Sequence, residues 1–92
     1  MQPVAERRVA VRNEKGIHLH VATLLARAAS RFASEIYLAR DDRLRVNGKS
    51  VMSITLLAAT KGTRLRLIAE GPDAAEAVAC LAELFASGFG VP

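Results

Sequence analysis

Cysteine is almost absent from this chain, with Cys80 the only one. A single thiol excludes an intrachain disulfide and any site built from several cysteines. It falls within an apolar helical pattern, where free cysteine ordinarily behaves as a small core residue, so a buried thiol is expected. Tryptophan is missing, and the aromatics are one tyrosine and three phenylalanines. No apolar run approaches the roughly 18–20 residues of a membrane span. The opening residues, Gln2 to Arg8, lack the apolar core of a secretory signal. A cytoplasmic chain with no membrane contact is therefore expected. Other signals are missing too: there is no phosphate-cradling glycine loop, no His-x-x-x-His pair, and no Ser-His-Asp set singled out by spacing. The residues thus call for no metal and no cofactor, and a protein that turns over no substrate by itself is expected.

What is present suits a small globular fold. The 92 residues are 51% hydrophobic and 24% charged, enough for one domain, residues 1–92, around one core. Thirteen Lys and Arg against nine Asp and Glu leave a net charge of +4, which favours anionic partners without choosing among them.

Periodicity gives the order of elements. Residues 6–13 alternate, with Val9 and Val11 on one side and Arg8, Ala10 and Arg12 on the other, which predicts a strand. Gly16 marks a turn. From Leu19 to about Phe32, the positions Val21, Leu25, Ala28 and Phe32 predict an amphipathic helix. Two strands follow, Glu35 to Arg40 and Arg43 to Val46, joined by a tight turn at Asp41-Asp42. Ser50 is a fit N-cap for a shorter helix to about Ala59, closed by Lys61-Gly62. Thr63 to Glu70 alternates again, with Leu65, Leu67 and Ala69 inward. Asp73 and Glu76 have the spacing of a capping box before a last helix that buries Ala77, Val78, Leu81, Leu84 and Phe85. Gly88 closes it, and Phe89 to Pro92 form a short tail. The order β-α-β-β-α-β-α is that of an α+β, open-faced two-layer sandwich: a four-stranded antiparallel sheet with three helices on one face. The open face would carry Arg8, Arg12, Arg43, Arg45, Arg64 and Arg66, a solvated surface that resists aggregation.

The candidate chemistry sits at Gly16-Ile17-His18-Leu19-His20-Val21-Ala22. It puts an imidazole at a helix start, where backbone N–H groups lack intrahelical partners and attract anions. Histidine is among the side chains that form covalent intermediates. A second stretch, Asn47-Gly48-Lys49-Ser50-Val51-Met52, is followed by Lys61-Gly62-Thr63 and Ala69-Glu70-Gly71. With these two stretches in register from about Arg8 to Glu83, the sequence resembles the histidine-containing phosphocarrier (HPr) family of the bacterial phosphotransferase system.

The resemblance implies that His18 accepts a phosphoryl group from enzyme I, charged by phosphoenolpyruvate, and passes it to a IIA component or equivalent acceptor. It implies that Ser50 is the regulatory serine of HPr kinase/phosphorylase. It further implies that Leu19, Thr23, Arg27, Val51 and Met52 meet partners, with the protein acting as a monomer. Met52 at least is expected to be partly exposed. The sequence departs from the family where His20 replaces an arginine, Val21 a proline and Leu19 a small residue. His20 has two readings, a phosphate contact or a solvated helix residue, because an imidazole is cationic only when protonated. Two other readings belong to different classes. One is a regulatory HPr-like module working through Ser50 with little transfer at His18. The other is an RNA-binding sheet, for which Tyr37 alone is a poor stacking platform; no nucleic-acid partner is expected.

Overall fold

The computed structural model describes residues 2–41 and 44–92. Its elements follow the expected order, β1(Val4–Ala10), α1(Leu19–Ala29), β2(Glu35–Ala39), β3(Arg45–Asn47), α2(Val51–Thr55), β4(Arg64–Glu70) and α3(Ala74–Ala86). The strands form one four-stranded sheet in the order β1-β4-β2-β3, and every neighbouring pair is antiparallel. The core lies between this sheet and the helices. Leu38, Leu65 and Leu67 supply it from the strands, Val21 and Leu25 from α1, and Leu81 and Phe85 from α3, all at most 2% exposed.

The ends of the elements shift for local reasons. β1 starts earlier than the alternation suggested and leaves the ladder after Ala10, although Val11 still exchanges backbone bonds with Thr63 and Gly62. The helix α1 stops at Ala29, where the Ser30 hydroxyl turns back to the Ala26 carbonyl. The second helix is shorter than expected. Ala58 takes a left-handed φ of 48°, and the Arg40 guanidinium donates to the carbonyls of Leu57 and Ala58. The third strand begins at Arg45 rather than Arg43. Asp42 and Arg43, and with them the expected Asp41-Asp42 turn, fall outside the described residues. The tail after α3 makes a 3-10 turn that buries Phe89 edge-on against Phe85, centroids 4.9 Å apart.

Two expectations are corrected. Cys80 is exposed on α3, because the buried stripe of that helix passes through Ala77, Val78, Leu81, Ala82 and Phe85. Asp73 makes no side-chain cap bond to α3. Its carboxylate turns instead to the start of β2, accepting from the Ala33 N–H, the Ser34 N–H and the Ser34 hydroxyl. Those bonds, the Ser34 hydroxyl first, lower its pKa from the ordinary carboxylate value. Gly71 permits the clasp. Its φ is 151°, and a Cβ there would stand 2.6 Å from the Ser34 Cα.

The open face carries its arginines largely as expected. Arg8, Arg45 and Arg64 are exposed, and Arg66 is half-buried beside Glu6 at 3.7 Å. Ile68 lies on this face yet is only 5% exposed, between its cross-strand neighbours Glu6 and Tyr37. Long arginine stems can cover apolar surface while their heads stay in water. Arg12 leaves the face, and its Nη1 donates to the Ala86 carbonyl at the end of α3.

Candidate phosphoryl-accepting site

The loop before α1 is pinned by its backbone. Gly16 has φ 69°, and a Cβ there would meet the Ala59 carbonyl oxygen at 2.4 Å. Only glycine fits both that conformation and that approach. Next to it the Ile17 N–H donates to the same Ala59 carbonyl at 2.8 Å, and Ile17 is buried. The Asn13 side chain, also buried, donates to the Gly16 carbonyl. The turn is thus tied on one side to the chain leaving α2 and on the other to the chain leaving β1.

This turn delivers His18 as the N-cap of α1, in extended conformation. Its Nδ1 accepts the His20 N–H at 3.3 Å. An acceptor nitrogen has its lone pair on that side, so in the neutral ring the proton lies on Nε2. The Ala22 N–H is the first to close an intrahelical bond, to the His18 carbonyl at 2.9 Å. The N–H groups of Leu19, His20 and Val21 therefore precede the helical ladder and point out of its end. His18 is half-buried and His20 exposed. Their rings stack at 14°, with centroids 6.3 Å apart. The arrangement offers a ring nitrogen, backbone donors and the positive end of a helix dipole to one anionic group.

The other predicted residues divide between two ends. Thr23 donates back to the Leu19 carbonyl within the helix at 2.9 Å, and Arg27 is exposed with no side-chain partner among the described residues. Ser50 caps α2 as expected, its Oγ accepting the Ser53 N–H at 3.2 Å. Lys49 Nζ donates to the Phe32 carbonyl beyond the far end of α1, whereas Ala59 meets Ile17 at the near end. The two helices therefore run antiparallel, and Ser50 does not join His18. Val51 is half-buried against the core, while Met52 is 74% exposed. Leu19 and Leu56 are also exposed, at 64% and 68%. Three of the four large apolar side chains exposed among the described residues thus lie on α1 or just along α2, an accessible apolar surface. Leu56 was missed in the sequence, although it follows Met52 by four residues, the spacing of one helix face. The RNA reading loses its one aromatic: Arg45 stands 3.9 Å over the Tyr37 ring and occupies it.

An open-faced sandwich that presents an imidazole at a pinned helix end defines a class, that of small α+β proteins with a histidine beside the anion-attracting end of a helix. Comparison narrows the class. The family model for the HPr component phosphorylation site of the phosphotransferase system matches residues 5–87. The phosphocarrier protein HPr of Treponema pallidum is 44% identical over 81 residues, covering 88% of this chain and 91% of that protein. The HPr-like protein Crh of Bacillus subtilis is 38% identical over 79 residues, 86% of this chain and 92% of that protein. Among solved structures, HPr-C-His from Thermoanaerobacter tengcongensis superposes with a TM-score of 0.89 at 36% identity, covering 96% of this chain and 98% of that one. The chain belongs to the HPr family of phosphocarrier proteins of the phosphotransferase system. None of the helices among its described residues is long and apolar enough to cross a membrane.

Proposed function

We propose that this protein accepts a phosphoryl group on Nδ1 of His18 from phosphorylated enzyme I and passes it to a IIA-type acceptor. The observation that carries this reading is the His18 Nδ1 bond to the His20 N–H at the start of α1. The lone pair that holds that N–H attacks phosphorus as the bond to the donor breaks, and the electron pair of that bond returns to the donor. The phosphoryl oxygens then take the N–H groups of Leu19, His20 and Val21, which carry partial positive charge. His20, when protonated, faces the same oxygens from a stacked ring. Leu19, Thr23, Arg27, Met52 and the newly found Leu56 meet the partners, with Val51 supporting them from beneath. The protein works as one domain, as a monomer in the cytoplasm, and carries the group without turning over a substrate of its own.

We infer regulation at Ser50 by a kinase of the HPr kinase/phosphorylase type. Ser50 opens a helix beside exposed Met52, and that placement supports a second reading in which Ser50 is the main site of action. One experiment separates the two. Enzyme I and labelled phosphoenolpyruvate are given to wild type and His18→Ala. Acid-labile label on wild type alone supports the carrier. A folded wild type that takes no label at His18, but is modified at Ser50 by the kinase, leaves the regulatory module.

A further inference from the structure

The sheet leaves two outer strands, β1 and β3. The third strand has three residues, whereas β1 has seven. Bonds at the ends of the β1–β4 pairing determine which residues of β1 face outward. The Pro3 carbonyl accepts the Gly71 N–H at 2.9 Å, and the Val11 N–H donates to the Thr63 carbonyl at 2.9 Å. Both extend the register that runs from Val4↔Glu70 to Ala10↔Arg64. Along an antiparallel strand, alternate residues bond to a given neighbour, so Ala5, Arg7 and Val9 bond to β4. The N–H and C=O groups of Val4, Glu6, Arg8 and Ala10 then point away from the sheet, where no described strand pairs with them. Val4, Glu6, Arg7 and Arg8 are exposed.

Positive charge flanks this edge on both faces. On the helix side, a groove of about 470 Å³ between β1 and α3 is lined by Arg7, Arg12, Phe85 and the acidic Glu83, among others. On the open side, a hollow of about 200 Å³ brings Arg8, Arg40, Arg64 and Arg66 around one acid, Asp41. Arg8 and Arg66 stand directly opposite in the ladder, a pairing that like charges disfavour. Arg66 has Glu6 nearby, and Arg40 is engaged with backbone carbonyls. The guanidinium groups of Arg7, Arg8 and Arg64 have no side-chain partner among the described residues.

The geometry points to β1 as a docking edge for an extended acidic segment of a partner protein, added to the sheet as a further strand. Successive side chains of an added strand alternate between faces. Its carboxylates would reach Arg8 on one face and Arg7 and Arg12 on the other, while its backbone bonds to the four outward residues, the mode of strand addition. A second copy suits the edge less well. Self-pairing brings Arg7 and Arg8 of two copies alongside each other, on chains each of net charge +4, and charge on an edge is a common guard against that pairing. RNA lacks a stacking surface here, since Arg45 covers Tyr37.

The test uses a short blocked peptide of paired glutamates and valines (Glu-Glu-Val-Val repeated), whose carboxylates fall on both faces of an added strand, titrated into the isotope-labelled protein while amide exchange is followed. The peptide should slow exchange at Val4, Glu6, Arg8 and Ala10. N-methylation along its pairing edge, and separately the Arg7→Glu/Arg8→Glu double variant, should each weaken binding by about tenfold or more. Four results would overturn the proposal: no slowing at those amides, equal binding of the N-methylated peptide, tighter binding of single-stranded RNA, or self-association through β1 in place of peptide binding. If the double variant folds poorly, the N-methylated peptide on wild-type protein still decides.

Discussion

Replacing Ser50 by aspartate separates affinity from chemistry. The side chain of Ser50 caps α2, and aspartate is an equally good cap. The fold should therefore survive, and a negative charge at that helix start is favourable. The question is what the charge does to His18. The bond from Lys49 to Phe32 sets Ser50 towards the far end of α1, whose 11 residues span about 16 Å. Over a separation on the order of 10–16 Å in water, a unit charge contributes about 0.3–0.4 kcal/mol. Screening over a Debye length of about 8 Å reduces that to roughly 0.1 kcal/mol or less, too little to change the rate at His18 by twofold. The loss must instead arise in docking. A carboxylate beside exposed Met52 has to be desolvated against apolar contacts, and a partner that accepts Arg27 is itself acidic by complementarity of charge. Phosphorylation of Ser50→Asp by enzyme I should need several-fold more enzyme I for half-maximal rate, and its rate at saturation should stay within about twofold of wild type. Rates measured over a wide range of enzyme I concentration check this. A saturating rate reduced tenfold, with an unchanged half-saturation point, would refute the reasoning.

Three further outcomes follow from the same geometry. The Gly16→Ala protein must place a Cβ against the Ala59 carbonyl at a left-handed φ, so a loss of about 2–4 kcal/mol in urea unfolding is expected; a loss under about 0.5 kcal/mol would mean the turn is not pinned. Asp73 has a lowered folded pKa, so its contribution is complete above the unfolded carboxylate value and fades as pH falls through the folded one. Urea midpoints of wild type should therefore drop below about pH 4, and Asp73→Asn should start lower and show a shallower acid limb; identical profiles would contradict the clasp. Transfer through His18 should be several-fold faster in His20→Arg, which supplies a permanent guanidinium charge, and slower in His20→Ala. Equal rates in all three proteins would show that His20 does not touch the phosphate.

The fold was legible because strand and helix periods were clean. Arg64 to Glu70 alternates, and Val21 and Leu25 recur at helical spacing, so each element declared the face it buries. Side chains that act across the chain were not legible. Asp73 had the local spacing of a cap, yet Ser34 and Ala33, some 39 and 40 residues away in sequence, offered its carboxylate three donors. No window around Asp73 contains that competitor. The same holds for the end of α2, where Arg40, just beyond β2, stabilises the carbonyls of Leu57 and Ala58. Cys80 was misplaced for a simpler reason. In a helix rich in alanine, several registers bury a similar apolar area, and packing of Phe85 and Leu81 chose the one that leaves the thiol outside. At the candidate site, His18 was legible as an imidazole at a helix start and Ser50 as a cap. The bond that ties Gly16-Ile17 to Ala59 was not, since it closes a loop of more than 40 residues.

What the site lacks fits a carrier. A group that must leave as readily as it arrives is poorly served by a ligand that holds it tightly in every state, since only interactions stronger in the transition state than in the bound state raise the rate. Backbone donors at a helix end suit that need. They are fixed by α1, stay neutral overall, and cost little reorganisation when the phosphoryl group comes or goes. In HPr relatives that carry arginine at the position of His20, a permanent charge is added to them. On the function proposed above, the backbone donors carry the constant part of the stabilisation here, since an imidazole is cationic only when protonated. The rigid link from Gly16 and Ile17 to Ala59 then matters more than in a site with an arginine, because the N–H groups of Leu19, His20 and Val21 are useful only while the loop keeps His18 in front of them. The double variant Gly16→Ala/His20→Arg separates these contributions. If restoring the arginine recovers the transfer rate but not the stability lost at Gly16, the loop serves transfer by aiming the imidazole at the helix end. Recovery of neither would leave the loop with a structural role alone.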